Sequence, residues 1–231
     1  MTWLEPSHEE LKKTQSFTTM KPTLQIFRRQ SPVQVLGPGQ RAVIWVQGCP
    51  FACPGCIVPE SWNARGGETV TLDELSQWIL AQPDLEGITL SGGEPMLQAE
   101  ALSQLIDNLR QQRDLGVMCY SGYRLETLQQ QGSDAQQTLL QQIDLLVDGQ
   151  YRQEEHDNLL WRGSRNQRLL LLTSRYQDVV EQQLTEGDCS AGLSFVSGTT
   201  GDVYFTGVPP MSDFRQQFEQ EMQQRGIHIQ V

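Results

Sequence analysis

The sequence predicts an α/β protein with a mainly parallel sheet and a small C-terminal α+β extension. Three observations predict it. Short apolar runs alternate with helix-patterned segments over residues 23–172, the rhythm of βα units. Four of the runs end in loops of glycine, cysteine or small polar residues, the place where parallel sheets put their chemistry. After Thr173 the rhythm stops, and two short apolar runs flank a turn-rich segment, the pattern of a hairpin.

Taken in order, residues 1–22 show no clear period and are expected to form an N-terminal arm. Leu24 and Ile26 alternate with polar neighbours, a short strand. Gly37-Pro38-Gly39 is a turn, and residues 42–46 (AVIWV) form a buried strand that runs into a cysteine loop. Thr71 and Glu74 make a capping box for a helix to residue 81, with Leu72, Leu75 and Ile79 on one face. Residues 87–90 are a strand ending at Ser91-Gly92-Gly93-Glu94-Pro95. Leu102, Leu105, Ile106 and Leu109 mark an amphipathic helix over 98–113. A strand at 117–120 leads to Ser121-Gly122-Tyr123, helices follow at 125–131 and 136–142, and a strand at 143–147 leads to Asp148-Gly149. Residues 169–172 are the last strand of the series. The cysteine loop and the loops at Gly92, Ser121 and Asp148 should therefore share one rim. Beyond it come a polar helix near 175–184 and a hairpin, 193–196 with 203–206, turning through residues 197–202. Ser212 is expected to cap a helix whose Phe214, Phe218 and Met222 stand four apart, and Ile227 with Ile229 to form a final strand. The domains expected are thus 1–22, 23–172 and 173–231.

Composition narrows the function. The 231 residues hold 17 Lys and Arg against 28 Asp and Glu, a net charge of −11. Phosphate backbones and anionic membranes are held mainly by cations, so neither nucleic acid nor membrane is an expected partner. No basic start followed by an apolar run marks a secretory leader, and no stretch is apolar for long enough to span a bilayer. The cysteines number five, an odd count, and Cys49, Cys53 and Cys56 fall within eight residues. That is no disulfide framework; crowded thiols in a chain without a leader bind metal or do redox chemistry. A cytoplasmic location is expected.

The spacing Cys-x3-Cys-x2-Cys admits three readings. Three thiolates on a short loop can hold an iron–sulfur cube and leave one iron without a protein ligand, open to the amino and carboxylate groups of S-adenosylmethionine. They can be three legs of a structural zinc site completed by a remote Cys or His. They can also belong to an electron carrier with Cys119 or Cys189 as fourth ligand. The turn Gly92-Gly93-Glu94-Pro95 bears on the choice, because paired glycines let bare backbone approach a ligand.

Gly37 to Trp62 (GPGQRAVIWVQGCPFACPGCIVPESW) resembles the cluster loop of the radical S-adenosylmethionine superfamily, and most of all the activating enzymes of anaerobic, class III ribonucleotide reductases. Ile88 to Pro95 (ITLSGGEP), Ser121 to Leu128 (SGYRLETL), Leu145 to Tyr151 (LLVDGQY) and Trp161 to Arg168 (WRGSRNQR) resemble further blocks of that family in the same order. The resemblance implies an incomplete, open β/α barrel over residues 23–172 with a [4Fe-4S] cluster at its mouth. It implies reductive cleavage of S-adenosyl-L-methionine to a 5′-deoxyadenosyl radical, which removes the α-hydrogen of a glycine in a partner glycyl radical enzyme. Anaerobic ribonucleotide reductase is the candidate partner, and reduced flavodoxin or ferredoxin the implied electron donor. Radical modification of another peptide or a small molecule is the alternative.

By the same resemblance Cys49, Cys53 and Cys56 ligate iron, and Gly55, Ile57, Gly92, Gly93, Glu94 and Ser121 line the adenosylmethionine site. Two features depart from the family. Ile57 stands where an aromatic residue is usual, so the contact with adenine would be aliphatic. The chain also runs about sixty residues past Leu172, where such activators end, and its N-terminal arm is longer. Tyr123, Asp148, Arg162, Asn166 and Gln167 lie in matching blocks and serve either ligand contact or loop anchoring. Trp45 is expected in the core, Trp62 beneath the cluster loop, and Cys119 as a small core residue. Cys189 is expected in an exposed loop, and His8, His156 and His228 at the surface.

Overall fold

A computed structural model of the chain describes residues 21–197 and 203–227. Most of the expected arm, the hairpin tip at 198–202, His8, His228 and the end of the expected final strand lie outside the described residues.

Seven strands make one open sheet: β1 (Thr23–Val33), β2 (Arg41–Val46), β3 (Glu68–Thr71), β4 (Gly87–Gly92), β5 (Gly116–Ser121), β6 (Leu145–Asp148) and β9 (Arg168–Leu171), in the order β3-β1-β2-β4-β5-β6-β9. β2, β4, β5 and β6 pair in parallel. β1 is antiparallel to both of its neighbours, and β9 is antiparallel to β6. Five strands therefore point one way, and the sheet closes on neither edge. This is the incomplete barrel with a mainly parallel sheet. The alternating βα pattern did not foretell two reversals: β9 returns through a short strand pair, β7 (His156–Leu159) and β8 (Arg162–Ser164), with no crossover helix.

Each parallel strand is buried on both faces, which is why it reads as a continuous apolar run. Ala42, Ile44 and Val46, with Ile88, Leu90, Val117, Cys119 and Leu146, pack under α1 (Leu72–Leu80), α2 (Ala99–Arg110) and α4 (Asp134–Gln142). The alternate residues face the other way, as the two-residue period of a strand requires. Val43 and Trp45 meet Phe205, Phe214 and Phe218, and Met118, Leu145 and Val147 meet Trp161, Tyr176 and Val180. The second face is thus roofed by α5 (Gln177–Glu186), the hairpin β10 (Leu193–Ser197) and β11 (Val203–Gly207), and α6 (Phe214–Gln224). The phenylalanine stripe faces this core: Phe205, Phe214 and Phe218 pack with ring centroids 5.4–5.7 Å apart.

Local signals mostly act as read. The Thr71 hydroxyl accepts the Glu74 N–H at 3.2 Å, but the Glu74 carboxylate turns to Arg29 instead of closing the capping box. α4 starts at Asp134, two residues early, because Ser133 and Gln136 form a reciprocal capping box. Ser212 does not cap α6: Asp213 occupies that position, and no side chain bonds to the helix N-terminus. No helix among the described residues is long and apolar enough to cross a membrane.

Candidate functional site

Parallel pairing brings the strand ends together, since Val46 lies beside Gly92 and Ser121 beside Asp148. A hollow of about 120 Å³ opens at this rim, lined by Cys49, Cys53, Cys56, Gly92, Gly93, Glu94 and Ser121. The expected convergence of the four loops is met: Gly149 and Gln150, after β6, complete the wall. Gly55 and Ile57 line an adjoining cavity of about 170 Å³ beneath the C-terminal hairpin, continuous with the first through Cys56, Ser91, Gly92, Tyr120, Tyr151 and Gln167.

The cysteine loop is pinned at both ends. The Gly48 and Cys49 N–H groups donate to the carbonyls of Ser61 and Trp62 at 2.7 and 3.1 Å, and the Cys56 N–H closes a turn on the Cys53 carbonyl at 3.1 Å. Burial pushes all three thiols up from their ordinary range, opposed by donors aimed at sulfur: backbone groups of Phe51 and Ala52 at Cys49, of Tyr151 at Cys53, and of Val58 with the Trp62 side chain at Cys56. Trp62 thus acts under the loop, as expected. All three thiols are free of disulfides.

The glycine turn is locked to this loop. The Gly93 N–H donates to the Val46 carbonyl and the Glu94 N–H to the Gly48 carbonyl, both at 2.8 Å. A Cβ on Gly93 would stand 2.2 Å from the Gly48 oxygen, and one on Gly92, where φ is +94°, 2.7 Å from the Trp45 backbone. Both glycines are therefore demanded by the approach of the turn to the cysteine strand. Glu94 is 1% exposed. Its carboxylate accepts from the Met96 N–H (2.9 Å), the Ser121 hydroxyl (3.0 Å) and the Gly122 N–H (2.7 Å). Burial pushes its pKa up to about 7 against those three donors. A carboxylate has about four acceptor positions; Oε1 carries two of these contacts and Oε2 one, so Oε2 keeps one acceptor position.

The lesser candidates divide. Gln167 lines both cavities and bonds Gly163 N–H (2.9 Å) and the Gly149 carbonyl (3.1 Å). Asp148 is fully buried and accepts from Arg124 (3.0 Å), Arg168 Nε (2.9 Å) and the Leu125 N–H (2.8 Å), tying β6 to α3 (Leu125–Gln131) and β9. Arg162 pairs with Asp188, and Asn166 donates to the Gln150 carbonyl at 2.8 Å. Tyr123 stacks edge-on against Phe51 with ring centroids 4.9 Å apart. None of these four lines either cavity. His156, expected at the surface, is half-buried against Tyr151 (3.1 Å) and lines the larger cavity. Sequence reasoning missed Arg28, Tyr120 and Trp161 on the same wall; the WRGSRNQR block pointed to the last region without singling out its tryptophan.

The donor set fits an iron–sulfur cluster: three free thiols from one short loop stand around one hollow, with N–H groups turned toward the sulfurs. Cys119 is buried in β5, Cys189 is exposed, and neither lines the hollow.

Cysteine loop and glycine turn, interlocked at the strand ends of an open βα sheet, define the radical S-adenosylmethionine class. Comparison with known proteins carries this further. The 4Fe-4S single cluster domain family matches residues 35–170. An anaerobic ribonucleoside-triphosphate reductase-activating protein of Vibrio cholerae is 37% identical over 153 residues, spanning 61% of this chain and 94% of that protein. Its namesakes from bacteriophage T4 and Escherichia coli K12 are each 33% identical, with 58% and 61% of this chain aligned to 86% and 95% of theirs. Among solved structures, QueE from Escherichia coli covers 90% of this chain and 92% of its own, at 13% identity and a TM-score of 0.40, a likeness too loose to bear on function. The chain belongs to the 4Fe-4S single cluster domain family, among the relatives named as reductase-activating proteins. It is a radical S-adenosylmethionine enzyme whose cofactors are a [4Fe-4S] cluster and S-adenosylmethionine.

Proposed function

We propose that this enzyme installs a glycyl radical on a partner protein, with an anaerobic ribonucleotide reductase as the target. Cys49, Cys53 and Cys56 hold the cluster, and Gly55, Ile57, Gly92, Gly93, Glu94 and Ser121 bind adenosylmethionine. When bound, the cluster and adenosylmethionine would together supply, by one-electron cleavage of a carbon–sulfur bond with release of methionine, the radical chemistry able to take the α-hydrogen of a target glycine.

The chain's own contribution is placement. The Gly92-Gly93-Glu94 turn, fastened to Gly48 and Val46, fixes the adenosylmethionine groups relative to the thiols. Oε2 of Glu94 offers its remaining acceptor position to the ammonium, and Ser121 holds that carboxylate in place through its 3.0 Å bond. Ile57 supplies an aliphatic surface for adenine. The observation that carries the reading is the interlock of glycine turn and cysteine loop in a chain that aligns to nearly the full length of reductase-activating proteins. Reduced flavodoxin or ferredoxin supplies the electron, and the enzyme works in the cytoplasm. Residues 173–231 form a functional extension to the 23–172 unit, yet they share its core through Tyr176 and Phe205.

The test mixes the reconstituted, reduced enzyme and adenosylmethionine with the anaerobic reductase of the same genome, followed by electron paramagnetic resonance. A glycyl doublet is expected. Abundant 5′-deoxyadenosine with no doublet would reject the reductase as target.

A further inference from the structure

The active pocket presents donors that the fold leaves unanswered. Buried polar groups nearly always have partners, and each exception needs a reason. Arg28, Tyr120 and Trp161 line the larger cavity. Their Nε and Nη1, Oη and Nε1 atoms respectively are buried with no hydrogen-bond partner among the described residues. Arginine and tryptophan can only donate, so this wall calls for acceptors. Arg28 is held with those donors free: its guanidinium lies 4.3 Å from the Trp45 ring centroid, and Nη2 bonds the Thr206 hydroxyl at 3.3 Å. Burial lowers its pKa to about 10, so it stays charged at neutral pH. No Asp or Glu lines the cavity to meet it. Trp161 is held at a cost. It is 1% exposed, and its φ of +52° is rare for a bulky side chain; such strain clusters at ligand sites.

The chain itself shows what can satisfy such a guanidinium. Arg41, which is fully buried, gives Nη1 to the Pro38 carbonyl at 2.9 Å and Nη2 to the carbonyls of Ile88 and Gly116. Backbone carbonyls thus answer a buried arginine in this molecule, and any peptide brings them whatever its side chains. Arg28 and Trp161 do not line the smaller hollow, which gathers the cysteines, Gly93 and Glu94; Tyr120 lines both. Their donors therefore stand apart from the groups assigned to the methionyl part of adenosylmethionine.

We propose that Arg28 is a substrate-binding residue which, with Tyr120 and Trp161 as further donors, holds the target peptide by the backbone carbonyls flanking its glycine. The inference rests on the reading that a protein glycine is the substrate. Gripping the main chain on either side fixes the α-carbon between, and selectivity of a radical step lies in such placement. Thr206, which orients Arg28, comes from beyond residue 170, where the family match stops, so the C-terminal extension helps to build the grip.

The test is isothermal titration calorimetry of the full, cluster-loaded, unreduced chain with adenosylmethionine present. The probe is a peptide spanning the candidate glycine of the anaerobic reductase from the same genome, blocked at both ends. Arg28→Met should weaken peptide binding about tenfold or more, since bonds from a charged donor are the strong ones. Tyr120→Phe should weaken it severalfold, and Arg28→Lys should recover part of the loss. Adenosylmethionine affinity and the urea midpoint of Arg28→Met should stay at their wild-type values. Wild-type protein that does not bind the peptide, or binding indifferent to Arg28→Met, would overturn the proposal. So would an equal loss of adenosylmethionine affinity, which would assign Arg28 to the cofactor, or a matching fall in the urea midpoint, which would make it structural. Arg28-dependent peptide binding without a glycyl doublet would reject the radical reading and leave the grip standing. A doublet with Arg28-independent binding would reject the grip alone.

Discussion

Gly93→Ala tests the interlock between the glycine turn and the cysteine loop. The added methyl carbon would lie 2.2 Å from the Gly48 oxygen and 2.7 Å from its carbon, where ordinary contacts begin at 3.4 Å. Both sides are backbone, so no side chain can swing away. The turn must back off by about 1 Å, and the two 2.8 Å bonds, Gly93 N–H to Val46 and Glu94 N–H to Gly48, then fall outside hydrogen-bonding range. Leaving a buried N–H unsatisfied costs about 1–3 kcal/mol, so the pair predicts a loss of about 2–6 kcal/mol. With a urea dependence of about 2 kcal/mol per molar, the unfolding midpoint of the cluster-free protein should fall by about 1–3 M. Circular dichroism in urea measures stability, and iron per chain after anaerobic reconstitution measures the loop. A Gly93→Ala protein with an unchanged midpoint and full iron uptake would refute the clash and the interlock built on it.

Cys119→Ala and Cys189→Ala should leave about four irons per chain and adenosylmethionine cleavage intact, whereas Ala at Cys49, Cys53 or Cys56 should abolish cleavage; iron analysis with a 5′-deoxyadenosine assay decides. Arg41→Met should destabilise by about 3 kcal/mol, because the buried guanidinium joins Thr89, the Pro38 carbonyl and Tyr176 at 2.6–2.9 Å at the amino ends of the strands. Urea unfolding reads that loss, while cleavage per folded molecule should be unchanged, since this network lies at the other end of the sheet from the cysteines. Asp148→Asn should cost about 2 kcal/mol at pH 7 by the loss of a buried, paired carboxylate whose cations are partly solvated. Burial raises Asp148, but its Arg168, Leu125 and Arg124 bonds outweigh that and hold it below the usual carboxylate range. Its stabilisation is therefore present above the unfolded pKa and lost as pH falls through the folded one, so the wild-type advantage in urea should shrink from pH 5 to pH 3.

How much was legible follows from how local each cause is. The parallel strands could be read because burial on both faces writes unbroken apolar runs such as AVIWV, and Leu125–Gln131 because its period is helical throughout. The rim loops could be read because their residues sit directly after those runs. The reversal of β9 was hidden, since Arg168–Leu171 has the same texture whichever way it pairs. The reason for Gly92 and Gly93 was also hidden: a sequence shows that bare backbone is needed, not that the approaching group is Gly48 instead of a ligand. Arg28 escaped notice for a similar reason. Counting by twos from Leu24 and Ile26 puts it on their face, and only a register shift between Ile26 and Arg28 turns it to the opposite face, against Trp45 and Thr206.

The C-terminal roof alters what the site asks of its target. A deoxyadenosyl radical reacts with nearly any C–H bond it reaches, so selectivity lies in what is held in place. The sheet is open at both edges, but its cluster-bearing face is covered: Phe205 and Phe214 pack against the sheet core, and Arg215 bonds the Ile57 carbonyl at 2.8 Å and Glu60 at 3.0 Å. The cysteine loop is thereby braced from above by α6 as well as from beside by the glycine turn. Phe51, Gly122 and Gln150 line the smaller hollow at the rim. Removing everything after Leu172 would strip Tyr176 from Arg41 and Phe205 from the sheet together. A truncation would therefore report on folding before it reported on docking. Arg215→Ala separates the two. It releases the brace on Ile57 and Glu60 while leaving the phenylalanine core in place, so it should reduce glycyl-radical yield more than it lowers the urea midpoint. An equal fall in both would assign α6 to stability alone.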